Sequence, residues 1–206
     1  GHSHLLLHPY NETTWNDQVL FESVGERVAR GVAHARATLM AGFTTERDLG
    51  TEGAGYADVG LKAAIEKGVV PGPRLLVAGP AIVATGSYGP KGAPEWDLPK
   101  GAQEADGYDG LVKAAREQIG KGADWVKVYA DYRWGPRGEA EPSFTTEELT
   151  LLVKVAADGR ELAYTAKDVG REAAWSTDVS ILVVPASGGT PVNVTQSNRA
   201  GDQNPV

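Results

Sequence analysis

The chain has 206 residues, 41% of them hydrophobic, which is enough for one or two domains with a sizeable buried core. Its net charge of −7 argues against nucleic acid or an anionic membrane as a partner, because both bind to basic surfaces. The absence of cysteine excludes disulfides and cysteine-ligated zinc, and no apolar run reaches the ~18 residues that a membrane span needs.

Strands and helices are predicted in alternation over the first three quarters of the chain. A short strand carrying His2-Ser3-His4 opens the chain, a helix follows at about 17–41, and a β-prone segment covers 43–45. The later elements are a helix at 56–67, a buried strand at 74–79, a long loop at 85–106, a helix at 108–121, a buried strand at 124–130, a polar loop at 134–142 and a helix from Thr145 or Thr146 to about 156. This order is typical of a parallel sheet built from βαβ units, in which the chemistry lies at the carboxyl ends of the strands.

The pattern changes near residue 157. Strands are predicted at 161–166 and 180–185, with a polar loop between them and no helix after them. We therefore expect two units, an α/β unit over 1–156 and a short β-meander over 157–206.

Two histidines stand two residues apart at the start. Residues i and i+2 of a strand point to the same side, so the imidazoles of His2 and His4 can converge on one metal ion. A tag remnant, or two solvated histidines at a frayed terminus, is the alternative explanation.

Lys127 interrupts an apolar strand. It alternates with Val126 and Val128 and so lies on the opposite face from them. A buried lysine is costly unless it is paired or modified, whereas a lysine at a strand end can extend its amine into water. Spacing alone leaves both alternatives open.

Together these features resemble the amidohydrolase superfamily, and more narrowly its imidazolonepropionase-like and Xaa-Pro dipeptidase (prolidase) branch. The resemblance covers residues 1 to about 156 and implies about four βα units of a (β/α)8 barrel of the TIM type. Besides His2-Ser3-His4, the motifs that carry it are Gly42-Phe43-Thr44-Thr45, Arg47-Asp48-Leu49-Gly50, Pro71-Gly72-Pro73-Arg74-Leu75 and Gly122-Ala123-Asp124 before Lys127-Val128-Tyr129.

The resemblance implies a binuclear metal site, usually of zinc. His2 and His4 would bind the more buried metal, and Lys127, carbamylated by CO2, would act as a catalytic residue by bridging the two metals. The metals would lower the pKa of a bridging water and polarise the scissile carbonyl, so that an amide or peptide C–N bond is hydrolysed. The substrate would be a small molecule or a dipeptide.

Several family ligands have no match in this chain. The family takes further histidines from the ends of strands five and six, and from strand eight an aspartate that orients the water and accepts its proton. Thr165 stands where the strand-five histidine is expected. Of the other histidines, His34 is interpreted as structural or solvated.

Four residues are predicted to contact the substrate. Relatives often carry a histidine in the loop after strand three, where this chain has Tyr88. Tyr129 and Tyr132 follow Lys127 closely, and His8 lies in the loop after the first strand, where a plain loop histidine is the alternative.

The tail, residues 157–206, resembles a different class of protein. Residues 158–189 are similar to a β-propeller blade of prolyl-oligopeptidase-type peptidases, in which the blade is scaffold. Half a barrel and a single blade each expose sheet edges, so self-association is expected. Because the two parts do not form an obvious stable protein together, we predict a truncated or chimeric reading frame with its join near 156–159.

Two functions remain open at this stage. One is a metal-dependent amidohydrolase of dipeptidase type that is incomplete and inactive as this chain. The other is a non-catalytic fragment or chimeric module with a peptidase-propeller tail. The compartment stays undetermined, because a targeting segment ahead of Gly1 is not excluded.

Overall fold

The computed structural model describes residues 2–91, 93, 95–133 and 137–156, and the three strands of the tail. In chain order the elements are β1 (His2–Ser3), α1 (Trp15–Phe21), α2 (Val24–Met40), β2 (Thr45–Asp48), α3 (Ala57–Glu66), β3 (Arg74–Val77), β4 (Ile82–Val83), β5 (Gln103–Glu104), α4 (Gly107–Gly120), β6 (Asp131–Arg133), β7 (Ala140–Pro142), α5 (Thr146–Ala156), β8 (Glu161–Ala166), β9 (Ser180–Pro185) and β10 (Val192–Asn193). No helix in these ranges has the length and apolar content to cross a membrane.

A parallel sheet in the order β1-β2-β3 forms the centre of the fold. His2 lies opposite Arg47, and Arg47 lies opposite Leu76, so these three side chains share one face of the sheet. The other face carries Leu75 and Val77, which pack into an apolar cluster with residues of α2 and α3. Helices therefore cover one face, and the histidines belong to the opposite face.

The fourth strand of the sheet is interrupted. The segment predicted as a strand at 124–130 runs parallel to β4, but only Val128 forms a bridge, to Ile82. The Ile82 N–H donates to the Lys127 carbonyl (2.8 Å), and the Tyr129 N–H donates to the Ile82 carbonyl (3.1 Å). A continuous ladder is prevented because Pro80, between β3 and β4, has no N–H to donate. The prediction of a regular strand was thus wrong, although the segment lies where the fourth strand belongs.

The second apolar cluster packs α4 and α5 against this edge. Its buried residues are Ile82, Ala84, Ala105, Leu111, Ala114, Ala115, Val126, Val128, Phe144, Leu152 and Ala156. The two clusters together give the described part of the chain a layer of helices over a parallel sheet that does not close into a barrel.

The predicted helix at 17–41 is two helices. Ser23 separates α1 from α2, and its hydroxyl caps α2 by accepting a hydrogen bond from the Glu26 N–H (3.1 Å). Thr14 caps α1 in the same way, through the Asp17 N–H (3.2 Å). The apolar period continues across the break, which is why the pattern did not reveal it.

Two loop predictions need correction. The loop predicted at 85–106 contains β5, which pairs in parallel with β4. The loop predicted at 134–142 contains β7, which pairs antiparallel with β6. These strands have two or three residues, too few for a hydrophobic period to develop.

Three helices follow their predicted bounds closely. The segments predicted at 56–67 and 108–121 and from Thr145 or Thr146 form α3, α4 and α5. At the start of α5 the Glu148 N–H donates to the Thr145 hydroxyl (3.2 Å), and the Thr145 N–H donates to the Glu148 carboxylate (2.9 Å). This reciprocal capping box explains why the start was readable from the sequence.

In the tail, β8 and β9 pair antiparallel, and β10 pairs antiparallel with β9. Most of the segment that resembles a propeller blade, and the suspected join after Ala156, lie outside the described residues. The likeness and the domain boundary therefore stay predictions.

Candidate functional site

His2 and His4 lie close together at the carboxyl end of β1. Their ring centroids are 5.6 Å apart in an edge-to-face arrangement. Burial, together with the nearby charges of Lys127 and His4, lowers the pKa of His2 to about 3. Its Nδ1 is buried and has no hydrogen-bond partner among the described residues. An uncharged, buried imidazole with an unused nitrogen is the form of histidine that binds a metal.

The ring of His4 is oriented by the loop after β2. Its Nδ1 lies 2.8 Å from the Gly50 carbonyl oxygen, and because a carbonyl only accepts, Nδ1 carries the proton. The lone pair of His4 is then on Nε2. Burial is the largest cause that lowers the pKa of this histidine, against the opposing charge of Glu52.

Lys127 is also buried, with 4% of its surface exposed. Its Nζ lies 4.8 Å from the centroid of the Tyr129 ring. Burial lowers the pKa of the amine, and Glu52 partly offsets this. A lowered pKa favours the neutral amine, the form that reacts with CO2.

The three predicted substrate tyrosines form one aromatic group. Tyr88 stacks on Tyr129 with centroids 5.1 Å apart, and Tyr132 lies 4.8 Å from Tyr88. Burial raises the pKa of all three hydroxyls, so the phenols stay neutral. Trp15, which the sequence analysis missed, packs edge-on against Tyr88 at 5.2 Å.

Glu52 is the second residue that the sequence analysis missed. Only 2% of its surface is exposed, and its Oε1 lies 3.7 Å from His4 Nδ1. Its Oε2 accepts hydrogen bonds from Trp15 Nε1 (2.9 Å) and from the Tyr88 hydroxyl (2.7 Å). The only available signal was an acidic residue inside the glycine-rich loop 50–55, which is a weak one.

His8 and His34 lie apart from this group. His8 is half-buried between Glu12 (3.5 Å) and Glu22 (3.8 Å), and its prediction as a substrate residue gains no support from these contacts. His34 Nδ1 bonds the Leu5 carbonyl (2.9 Å), which confirms the structural interpretation.

The donors fit a metal, but they are few. In the described part of the chain, no three His, Cys, Asp or Glu side chains are grouped to hold an ion. His2, His4 and Lys127 are therefore the set that this region offers, and their assignment as ligands stays a prediction.

Comparison with known proteins extends the picture. The model of the amidohydrolase family matches residues 1–165. A search of curated proteins gives no match to this sequence.

Solved structures of similar fold carry the same family name or a related one. An amidohydrolase shares 27% identity at a TM-score of 0.61, covering 78% of this chain and 40% of its own. A prolidase complexed with N-methylphosphonate-L-proline shares 28% identity at a TM-score of 0.58, covering 76% and 38%. A Xaa-Pro dipeptidase with bound methionine shares 29% identity at a TM-score of 0.56, covering 65% and 34%.

The chain thus spans about two fifths of the length of these relatives, whose family is one of generally metal-dependent hydrolases with a barrel of the TIM type. The family match extends over most of the sequence, from the paired histidines past Lys127. The chain belongs to the amidohydrolase family.

Proposed function

We propose that this chain carries the first part of a metal-dependent amidohydrolase site, with His2, His4 and Lys127 as its metal-binding residues. The observation that carries the proposal is the burial of Lys127 near the two histidines, where its charge affects the pKa of both. A lysine in such surroundings is costly as an ammonium ion, whereas a carbamate would be neutralised by bound metal.

Each residue has a distinct part in this proposal. His4 would bind through Nε2, because Nδ1 is committed to Gly50. His2 would bind as a neutral imidazole. Lys127 would act as a carbamate and supply oxygen ligands. Zinc, the metal we propose, would activate water and polarise the carbonyl of the substrate when bound.

The proposed substrate is a dipeptide or a related small amide, in keeping with the Xaa-Pro dipeptidase and imidazolonepropionase-like branch. The prolidase and the Xaa-Pro dipeptidase among the similar structures support this choice. Tyr88, Tyr129 and Tyr132 would line one wall of the site. His8 remains a fourth proposed contact at the loop after β1.

We further propose that the chain alone does not turn over substrate. It has four histidines in all, of which His34 is engaged in structure, so few imidazoles are left to bind two metals. The second candidate is a non-catalytic fragment or chimeric module divided near residue 157, and it is favoured by the small number of metal-binding side chains grouped among the described residues. Such a module would self-associate through its sheet edges, giving an oligomer in size-exclusion chromatography.

The decisive experiment measures zinc and the carbamate separately. Purified protein is loaded with zinc in 13C-bicarbonate, and bound metal and the carbamate carbon signal are recorded. We expect bound zinc and a carbamate signal in the wild type, loss of both in Lys127→Met, and loss of zinc in His4→Gln. Lys113→Met, which changes an exposed lysine, and His34→Gln are the matched controls and keep both signals.

Wild-type protein without zinc and without carbamate would contradict the proposed metal site. Dipeptide hydrolysis that is lost in Lys127→Met would contradict the proposed incompleteness but support the metal site.

A further inference from the structure

We propose that Glu52 is a positioning residue of this site: its buried carboxylate fixes the ring of His4 and connects it to the aromatic side chains beside Lys127. The inference rests on the proposed function, because His4 is one of the residues proposed to bind metal. It assigns a role to a residue outside the motifs that relate this chain to its family.

On the histidine side, two acceptors face the same ring nitrogen. The Gly50 carbonyl oxygen lies 2.8 Å from His4 Nδ1, and Glu52 Oε1 lies 3.7 Å from it. Glycine is favoured at 50, because its φ of 147° is one that L side chains rarely adopt and a Cβ there would lie 3.1 Å from His4 Cε1 and 3.2 Å from Glu52 Oε1. A carboxylate beside the N–H of a ligating histidine fixes the ring and makes the other nitrogen more basic.

On the aromatic side, the second oxygen of the same carboxylate has two donors. Trp15 Nε1 comes from α1, and the Tyr88 hydroxyl comes from the loop after β4. Tyr88 in turn stacks on Tyr129, whose ring lies below the Lys127 amine. One carboxylate therefore links His4, just after β1, to the segment that carries Lys127.

The backbone of Glu52 is held in an unfavourable conformation. Its φ of 49° lies in the left-handed region, which L residues rarely adopt. Glycines stand at 50, 53 and 55 of the same loop, but not at 52. A loop that only had to turn would take glycine at 52 as well, so the cost points to a need for this side chain.

Arg27 holds that conformation. Arg27 belongs to α2, and its buried guanidinium donates to the Thr51 carbonyl (2.7 Å) and to the Glu52 carbonyl (2.9 Å). Arg27 of α2 therefore holds the backbone at Glu52, and Trp15 and Tyr88 hold its carboxylate.

The test compares Glu52→Gln, which keeps the size and removes the charge, with Glu26→Gln, the same change at an exposed site. Tyr88→Phe is the second variant, because it removes one donor to Glu52 and keeps the ring. The Nδ1–H signal of His4, identified by its loss in His4→Gln, is recorded by NMR in zinc-free protein. Zinc affinity is then measured by calorimetry.

We expect the His4 signal to move in Glu52→Gln, to move less in Tyr88→Phe, and to stay in place in Glu26→Gln. Zinc affinity should fall by roughly 10- to 100-fold in Glu52→Gln. An unchanged His4 signal in a folded Glu52→Gln protein overturns the positioning role, whatever zinc does. If that variant does not fold, an unchanged signal in Tyr88→Phe overturns it.

A wild type that binds no zinc would contradict the proposed function alone, because the His4 signal in zinc-free protein still decides the role of Glu52.

Discussion

Glu52 and Asp48 carry two buried carboxyl groups four residues apart, and they differ in the hydrogen-bond donors around them. Glu52, in the loop at the site, accepts hydrogen bonds from Trp15 and Tyr88. Asp48, at the end of β2, is 0% exposed, and neither of its oxygens accepts a hydrogen bond of normal geometry from the described residues. The site side of the loop supplies donors for a buried acid, and the helix side of the strand does not.

The consequence for Asp48 is a change in acidity. Burial raises its pKa well above the usual value, and the neighbouring Asp58 raises it further, while the nearby Leu5 N–H offsets only part of this. Asp58 is itself anchored, because its carboxylate accepts from the N–H groups of Gly79 (2.7 Å) and Val59 (2.8 Å). The comparison therefore separates an acid held by donors from one whose pKa burial raises.

The largest effect is expected from removing the support beneath Glu52. Arg27→Met keeps the apolar stem and deletes both hydrogen bonds to the 51–52 carbonyls, so the buried Glu52 carbonyl loses its donor and the Thr51 carbonyl keeps the Ala54 N–H (3.2 Å). We expect a loss of about 3 kcal/mol in the free energy of unfolding, measured by urea denaturation.

Arg116→Met, on the exposed face of α4, is the control and should cost far less. A loss of unfolding free energy in Arg27→Met no larger than in this control would mean that the turn at 51–52 holds without Arg27. The claim that donors hold Glu52 in place, unlike Asp48, would then be contradicted.

A smaller effect is expected from changing the glycine between the two acids. Gly50 has φ 147°, and a Cβ there would press on both His4 and Glu52. We expect Gly50→Ala to cost about 1–3 kcal/mol and to weaken zinc binding.

Gly60→Ala is the matched change inside α3, where the added Cβ would meet nothing within 4 Å. There we expect a gain of about 0.5–1 kcal/mol, because alanine favours a helix more than glycine does. The unfolding temperature should therefore fall in Gly50→Ala and rise in Gly60→Ala, relative to the wild type. A change in the same direction in both variants would contradict the strain argued for Gly50.

The sequence predicted the elements that its hydrophobic period or caps encode. The helices from Tyr56 and Tyr108 and the capping box of Thr145 are examples, and so is the place of Lys127 on a buried segment. The break at Ser23 was missed because the apolar period crosses it.

Of the candidate site, only the residues that alternate along extended segments were predictable. His2, His4 and Lys127 follow from alternation and from the resemblance, whereas Glu52 depends on a loop conformation and on Trp15 from a separate helix. No local pattern encodes such contacts, because Trp15 lies 37 residues from Glu52 in the chain and Tyr88 lies 36 residues from it.

The last effect is gradual, at most about 1 kcal/mol per pH unit, and it is the one most specific to the unsupported acid. Because folding raises the pKa of Asp48, the folded protein keeps this proton to higher pH than the unfolded chain does. Its contribution to stability is full below the pKa of the unfolded chain, about 4, and is lost as pH rises through the raised value. Asp48→Asn carries no such proton, so relative to the wild type it should gain up to about 1 kcal/mol per pH unit above pH ~4.

Urea unfolding at several pH values between about 4 and 8 measures this difference. Asp109→Asn, at an exposed position in the first turn of α4, is the control and should run parallel to the wild type. Glu46, Glu52 and Asp58 all add to the raised pKa of Asp48, so the gain should shrink in a background of Asp58→Asn. If the free energy of unfolding of Asp48→Asn also changed with pH as that of the wild type does, Asp48 would be ionised in the folded protein. The contrast between Asp48 and Glu52 would then be contradicted.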